Sequence, residues 1–154
     1  MSANRRQLLL GAAASVALAR TAAAAEPSDA ELLGGLLDRE RGLESAYATA
    51  LAQGAIDPAL GERLLAHERE HVRALEGVLR GRRPAPVDQP ALPFGGRREF
   101  ARAALGLEGA TVAAYVDALT ALRNERLLQP LGSIMACGAQ HEVALRQVLG
   151  ESLL

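Results

Sequence analysis

Four stretches of the chain carry apolar residues at steps of three and four, the spacing that places side chains on one face of an α-helix. The predicted helices run from Ser28 or Asp29 to near Gln53, from Asp57-Pro58 to near Gly81, from about 97 to 122, and from about 129 to 148. Their apolar stripes are Leu33, Leu36, Leu37, Leu43, Ala50 and Leu51; Leu60, Leu64, Leu75 and Val78; Ala101, Leu105, Val112, Leu119 and Leu122; and Ile134, Leu145 and Val148. The pattern predicts an all-α protein.

A proline-rich connection separates the second helix from the third. Residues 81–96 contain Pro84, Pro86, Pro90 and Pro93, which exclude a helix interior or a central strand. An extended chain of that length, at roughly 3 Å per residue, can run the length of a ~24-residue helix. The sequence therefore predicts two helical hairpins joined by one long crossover in a four-helix bundle.

The two predicted hairpins resemble each other in sequence. Glu40 and Tyr47 recur 68 positions later as Glu108 and Tyr115. The segment that begins at His71, with Ala, Leu, Val and Leu at +3, +4, +7 and +8, recurs 70 positions later from His141. A duplicated hairpin would place equivalent groups around a pseudo-twofold axis at the bundle centre.

Five ionisable residues fall on the inward faces of these helices: Glu40, Glu68, His71, Glu108 and His141. In the first hairpin Glu40 and His71, and in the second Glu108 and His141, lie about 15 to 17 residues from the turn, so the polar groups of each hairpin should meet at one level. An uncompensated buried carboxylate costs several kcal/mol, which protonation, arginine, water or a cation must offset. No arginine falls on the inward faces, so a metal is the simplest solution, and oxygen and imidazole ligands suit iron or manganese.

These residues carry a family resemblance. The motifs are Glu40-x6-Tyr47, Glu68-x-x-His71, Glu108 and His141. In order and spacing they resemble the ferritin-like superfamily, the di-iron carboxylate bundles related to rubrerythrin and bacterioferritin, over residues 29–150. The resemblance implies a ferritin-like four-helix bundle with a di-iron, mononuclear iron or manganese site, and ferroxidase or oxidase/peroxidase-type activity.

One position departs from that pattern. The fourth helix has Gly138 where a second Glu-x-x-His motif would have its glutamate. The site is then asymmetric, binds one metal, recruits another ligand such as Glu44 or His67, or has decayed. Decay would leave a metal-free helical bundle with a structural or interaction role in the cell envelope. In either case we expect Tyr47 and Tyr115 to be core residues that hydrogen-bond a carboxylate.

The first 25 residues are typical of an export signal. Arg5-Arg6 precede an apolar run that continues to Ala19, and small residues follow at Ala23–Ala25. The paired arginines resemble a twin-arginine signal; a general secretory signal or an uncleaved anchor is the alternative. We therefore predict a signal peptide over 1–25 and a bundle over 26–154 that acts beyond the cytoplasmic membrane, with no membrane span after cleavage.

The amino-acid composition limits the fold classes and the kinds of binding partner that we expect. Hydrophobic residues make up 49% of the chain and aromatic residues only 3%, which favours close-packed helices over a β-sandwich. A formal net charge of −1, with all 17 basic residues arginine, argues against a nucleic-acid partner. The single cysteine excludes an intramolecular disulfide. The predicted partners are metal ions and, at most, a second copy of the chain in a homodimer.

Overall fold

The computed structural model describes residues 26–81 and 95–151, and the regular structure in this part of the chain is helical. The helices are α1 (Asp29–Ala52), α2 (Pro58–Leu79), α3 (Arg97–Ala121) and α4 (Leu128–Leu149), with a 3-10 turn at Glu125–Leu127 before α4. The predicted signal peptide and most of the proline-rich connection lie outside the described residues. The predicted all-α, four-helix architecture is confirmed.

The starts of α1 and α2 are set by local chemistry. Ser28 and Glu31 form a capping box: the Glu31 carboxylate accepts the Ser28 N–H at 2.7 Å, and Ser28 Oγ accepts the Glu31 N–H at 3.3 Å. At α2, the Asp57 carboxylate accepts the Leu60 N–H at 3.1 Å, and Pro58 occupies the first helical turn. Both starts lie where the sequence predicts them.

The helices form two antiparallel hairpins, α1 with α2 and α3 with α4, and α1 also packs on α3 and α2 on α4. The Asp29 carboxylate accepts the N–H groups of Arg123 and Asn124 at 2.9 and 3.0 Å. The start of α1 and the end of α2 therefore lie at the same end of the bundle as the α3–α4 turn, while α3 begins at the opposite end. The end of α2 and the start of α3 consequently lie at opposite ends of the bundle, which is the arrangement that the predicted long crossover requires.

The apolar core consists of two clusters at different levels. One lies around Tyr47, Phe100 and Leu145, where the rings of Tyr47 and Phe100 meet edge to face at 5.7 Å. The other lies around Leu36, Leu75 and Tyr115. None of the helices in the described part of the chain is both long and apolar enough for a membrane span.

Two residues predicted to face inward do not. Val78 and Val148 are 41% and 44% exposed, whereas the next residues, Leu79 and Leu149, are buried. Each residue turns about 100° further around a helix, so the buried arcs continue by steps of four from Leu75 and Leu145. A step of three residues from Leu75 or Leu145 reaches Val78 or Val148, which lie at the edge of the buried arc and remain partly exposed to solvent. Val148 instead lines an apolar pocket of about 200 Å³ with Ile56 and Phe100.

Candidate metal centre

All five predicted ligands converge in the middle of the bundle. Glu40 lies on α1, Glu68 and His71 on α2, Glu108 on α3 and His141 on α4, and each is buried. The three glutamates are each only 1% exposed. The spacing within each helix therefore orients these polar side chains toward the interior, as the apolar stripes predict.

The five side chains form two triads that share Glu68. In the first triad, His71 Nδ1 lies 3.2 Å from Glu40 Oε2 and 3.5 Å from Glu68 Oε2. In the second, His141 Nδ1 lies 2.9 Å from Glu68 Oε1 and 3.1 Å from Glu108 Oε1. The potential ligand atoms within each triad all lie within 4.8 Å of one another. Each oxygen of Glu68 thus faces a different histidine.

Two tyrosines tie the hairpins together around these triads. Tyr47 on α1 donates its hydroxyl hydrogen to Glu108 Oε1 on α3 at 2.6 Å, and Tyr115 on α3 donates to Glu40 Oε1 on α1 at 2.6 Å. The two contacts are related by the pseudo-twofold symmetry that the sequence repeat predicts. Each tyrosine is therefore a buried residue that orients a carboxylate of the opposite hairpin.

The triads contain fewer hydrogen-bond donors than their carboxylate oxygens could accept. A neutral imidazole carries at most one hydrogen on Nδ1, yet each Nδ1 faces oxygens of two carboxylates. Both oxygens of Glu68 are buried, and neither accepts a well-formed hydrogen bond from any described residue. Buried polar atoms without a hydrogen bond are costly, and a cation between donor-poor oxygen and nitrogen atoms removes that cost. The donor set, three carboxylates and two imidazoles, fits iron or manganese.

Protons provide the competing way to neutralise the site. Burial raises the pKa of Glu40 to about 7, with a further contribution from Glu68, and burial also raises the pKa of Glu108. Burial acts against the charged forms of His71 and His141, but the facing carboxylates outweigh it and raise both pKa values to about 10. Burial likewise opposes ionisation of Glu68, but the two imidazoles lower its pKa to about 2. Two imidazolium ions thus balance most of the carboxylate charge.

Gly138 faces this centre. A Cβ built on Gly138 would lie 3.2 Å from Val112 Cγ2 and 3.6 Å from Glu108 Oε2. The position is therefore directed at the second triad, but glycine contributes no carboxylate there. One glutamate, rather than two, is shared between the halves of the centre.

Comparison with known proteins agrees with this geometry. A family model described as "Ferritin-like domain" matches residues 28–151, more than half of the chain. The chain belongs to the ferritin-like domain family. Its structure resembles the crystal structure of ferritin-like, diiron-carboxylate proteins from Bacillus anthracis str. Ames. That likeness has a TM-score of 0.67 at 20% identity and covers 80% of this chain and 99% of the other. A search of curated proteins finds no match.

The two candidate replacement ligands of this ferritin-like domain have different positions. Glu44 lies 3.2 Å from Arg69 Nε, where both side chains are partly exposed, and it belongs to neither triad. His67 Nδ1, by contrast, lies 3.0 Å from His141 Nε2, the nitrogen that faces away from the carboxylates. Glu44 and His67 share a depth in the bundle, but depth alone does not specify the direction in which each side chain points.

Proposed function

We propose that this ferritin-like domain binds two transition-metal ions, iron or manganese, one in each triad, with Glu68 bridging them. The observation that carries the proposal is the position of Glu68: its two oxygens are buried, neither accepts a well-formed hydrogen bond within the part of the chain that the structure describes, and each faces a separate histidine. A bridging carboxylate needs this arrangement, because each oxygen must be free to bind a different ion. Glu40 and His71 would complete one ion's protein ligands, and Glu108 and His141 the other's.

Charge supports the same conclusion. Three carboxylates and two neutral imidazoles carry a formal charge of −3, which suits binding of divalent ions in a buried site. Binding would release the protons that otherwise neutralise the centre, because ligands must be deprotonated. Bound iron would supply one-electron chemistry toward dioxygen or peroxide, and we propose an oxidase-type or ferroxidase activity on that basis.

The other residues of the site would hold the ligands in place. Tyr47 and Tyr115 each donate a short hydrogen bond to a carboxylate, which restricts rotation of the Glu108 and Glu40 side chains. The apolar clusters on either side keep the carboxylates out of bulk water. With three protein ligands in each triad, coordination positions would stay open for small molecules.

Metal content is the direct test. The full chain is loaded anaerobically with Fe(II), desalted and measured by inductively coupled plasma mass spectrometry; we expect about two ions per chain. Glu68→Gln should abolish binding at both positions, and Glu40→Gln should affect mainly one. Glu44→Gln is the matched control, because Glu44 contacts Arg69 and not the triads, and it should retain both ions. Less than a tenth of an equivalent in the wild-type protein would refute the proposal.

A second candidate is a metal-free bundle with a structural or interaction role. The observation that favours it is the balance of protons: with the pKa values of His71 and His141 at about 10, the buried charges largely neutralise one another. Thermal unfolding distinguishes the two candidates. A melting temperature that is insensitive to Fe(II), Mn(II) and chelator supports the metal-free role, whereas a large metal-induced rise supports the metal centre.

We also propose export by a twin-arginine signal, which rests on the sequence of residues 1–25. The paired Arg5-Arg6 before an apolar run support it. Replacing both arginines with lysine should retain the precursor in the cytoplasm, as measured by fractionation and the size of the chain. Export that is unaffected by this change would indicate a general secretory signal.

A further inference from the structure

A second cluster of potential ligands lies on the far side of His141. His141 Nε2 lies 3.0 Å from His67 Nδ1 and 3.4 Å from Cys137 Sγ, and Cys137 Sγ lies 3.6 Å from His67 Nδ1. His67 is on α2, and Cys137 precedes His141 by one turn of α4. Three metal-ligating atoms of two types thus form a small triangle outside the carboxylate centre.

The triangle has the dimensions of a tetrahedral metal site. With metal–nitrogen distances of about 2.0–2.1 Å and a metal–sulfur distance of about 2.3 Å, tetrahedral angles separate two nitrogens by about 3.3 Å and nitrogen from sulfur by about 3.6 Å. The observed edges of 3.0, 3.4 and 3.6 Å lie within about 0.3 Å of these values. The two imidazole rings, whose planes differ by 9° and whose centroids lie 5.3 Å apart, would have to tilt for both nitrogen lone pairs to converge on one ion.

The other side of the His141 ring provides independent support. Histidines that bind a metal usually donate their second ring N–H to a carboxylate, which fixes the tautomer and the ring orientation. His141 Nδ1 lies 2.9 Å from Glu68 Oε1 and 3.1 Å from Glu108 Oε1. With hydrogen on Nδ1, the Nε2 lone pair is directed at Cys137 and His67.

We propose that His67, Cys137 and His141 bind a borderline or soft ion, Zn(II) or Cu(I), at a site that adjoins the second carboxylate triad and shares His141 with it. One thiolate and two imidazoles are ligands that such ions prefer, and three protein ligands leave a fourth position open. Binding converts the Cys137 thiol to a thiolate and the His141 imidazolium to a neutral imidazole that keeps its Nδ1 hydrogen, and both displaced protons pass to solvent. Cys137 and His67 are partly exposed, so an ion can reach them from solvent.

This site does not require metal in the carboxylate centre. His141 offers Nε2 to one site and Nδ1 to the other, and a neutral imidazole binds an ion through only one nitrogen. An ion at the cysteine site would therefore favour a carboxylate centre in which His141 keeps its Nδ1 hydrogen. If the centre proposed above binds iron, the two sites compete for His141.

Cobalt is a suitable probe, because Co(II) replaces Zn(II) and a bound thiolate produces a charge-transfer absorption in the near ultraviolet. Cys137 is the chain's only cysteine, so this absorption reports on the proposed site alone. Titration of the reduced, metal-free full chain should bring this band to saturation at an intensity of one thiolate ligand per chain, and Zn(II) should remove the band. Cys137→Ser should abolish it, and His67→Gln should weaken Co(II) binding by at least about tenfold. Ser133→Ala, one turn before Cys137, is the matched control and should bind normally.

A measurement on the wild-type protein avoids dependence on folding of the variants. Stoichiometric Zn(II) should slow alkylation of Cys137 by iodoacetamide at least about tenfold, because a bound thiolate is a poorer nucleophile than a free one. No charge-transfer band and no protection in the folded wild-type chain would overturn the proposal. A band that is unchanged in His67→Gln would indicate an adventitious thiolate complex and would also overturn it. Iron content of Cys137→Ser tests the carboxylate centre separately, since none of the five carboxylate-centre residues is changed.

Discussion

The two tyrosine–glutamate contacts look equivalent but should differ in strength. Tyr115 donates to Glu40 Oε1 and is the one donor to that oxygen among the described residues, because His71 contacts Oε2. Glu108 Oε1 receives Tyr47 and also lies 3.1 Å from His141 Nδ1. Removing the Tyr115 hydroxyl therefore leaves a buried oxygen without a partner, whereas removing the Tyr47 hydroxyl does not.

The magnitudes follow from this difference. A hydrogen bond to a charged group contributes about 1.5–3 kcal/mol, and a buried acceptor left unpaired incurs its full desolvation cost. We expect Tyr115→Phe to lower the free energy of unfolding by about 2–3 kcal/mol and Tyr47→Phe by about 1–1.5 kcal/mol. Phenylalanine keeps the ring, so loss of packing is small in both variants.

Urea unfolding of the chelator-treated protein, followed by circular dichroism, provides the measurement, with the denaturant slope as a check that unfolding remains two-state. The cost of Tyr115→Phe should also grow as the pH rises through 7. The Tyr115 hydrogen bond lowers the pKa of Glu40, which burial raises to about 7, so its loss penalises the ionised form most. An equal or larger cost for Tyr47→Phe, or costs below about 0.5 kcal/mol for both, would refute this reasoning.

Three further predictions concern the same bundle. The free energy of unfolding of the metal-free protein, measured by urea titration, should fall between pH 7 and pH 10. The pKa values of His71 and His141 are about 10 in the folded protein and lower in the unfolded chain. The stabilisation from these two imidazolium ions is therefore complete below about pH 6.5 and disappears as the pH approaches 10. Gly132→Ala should raise the free energy of unfolding by up to about 1 kcal/mol, since its Cβ would meet nothing within 4 Å, whereas Gly61→Ala should lower it, since its Cβ would meet side chains at 2.7 Å. Gly138→Glu should destabilise the metal-free protein yet increase the melting-temperature rise on adding Fe(II), because a side chain at this position is directed at the second triad. An unchanged rise would contradict the proposal that this triad binds metal.

Several features of the fold are determined by interactions between residues that are close in sequence, and these features can be predicted from the sequence. The caps at Ser28 and Asp57 use side chains within three residues of their partners, so their effect does not depend on the rest of the bundle. The edges of the buried faces depend on neighbouring helices. The prediction that Val78 and Val148 are core residues is therefore wrong, because the helix period alone does not indicate how much of a helix surface the neighbouring helices bury.

The sequence likewise predicts some features of the candidate site and not others. Helix periodicity and distance from the turn place Glu40, Glu68 and Glu108 at one level, and the structure brings them together there. The direction of each side chain around its helix at that level is a tertiary property. Depth alone would pair Glu44 with His67, but Glu44 contacts Arg69. The contact between His67 and Cys137 crosses from α2 to α4. The numbering alone places Cys137 one helical turn from His141 but does not relate it to His67.

The missing carboxylate at position 138 alters the balance between protons and metal. Three glutamates and two imidazolium ions are nearly neutral together, so the metal-free centre can remain buried without a large electrostatic penalty. A fourth glutamate would leave excess negative charge that only further protonation or metal could offset. Compared with glutamate, glycine at this position should therefore favour the metal-free bundle and lower the affinity of the proposed centre for metal, because an ion would have to displace protons that already neutralise the site. Such a centre should bind metal more weakly as the pH falls, and the free metal concentration should determine its occupancy.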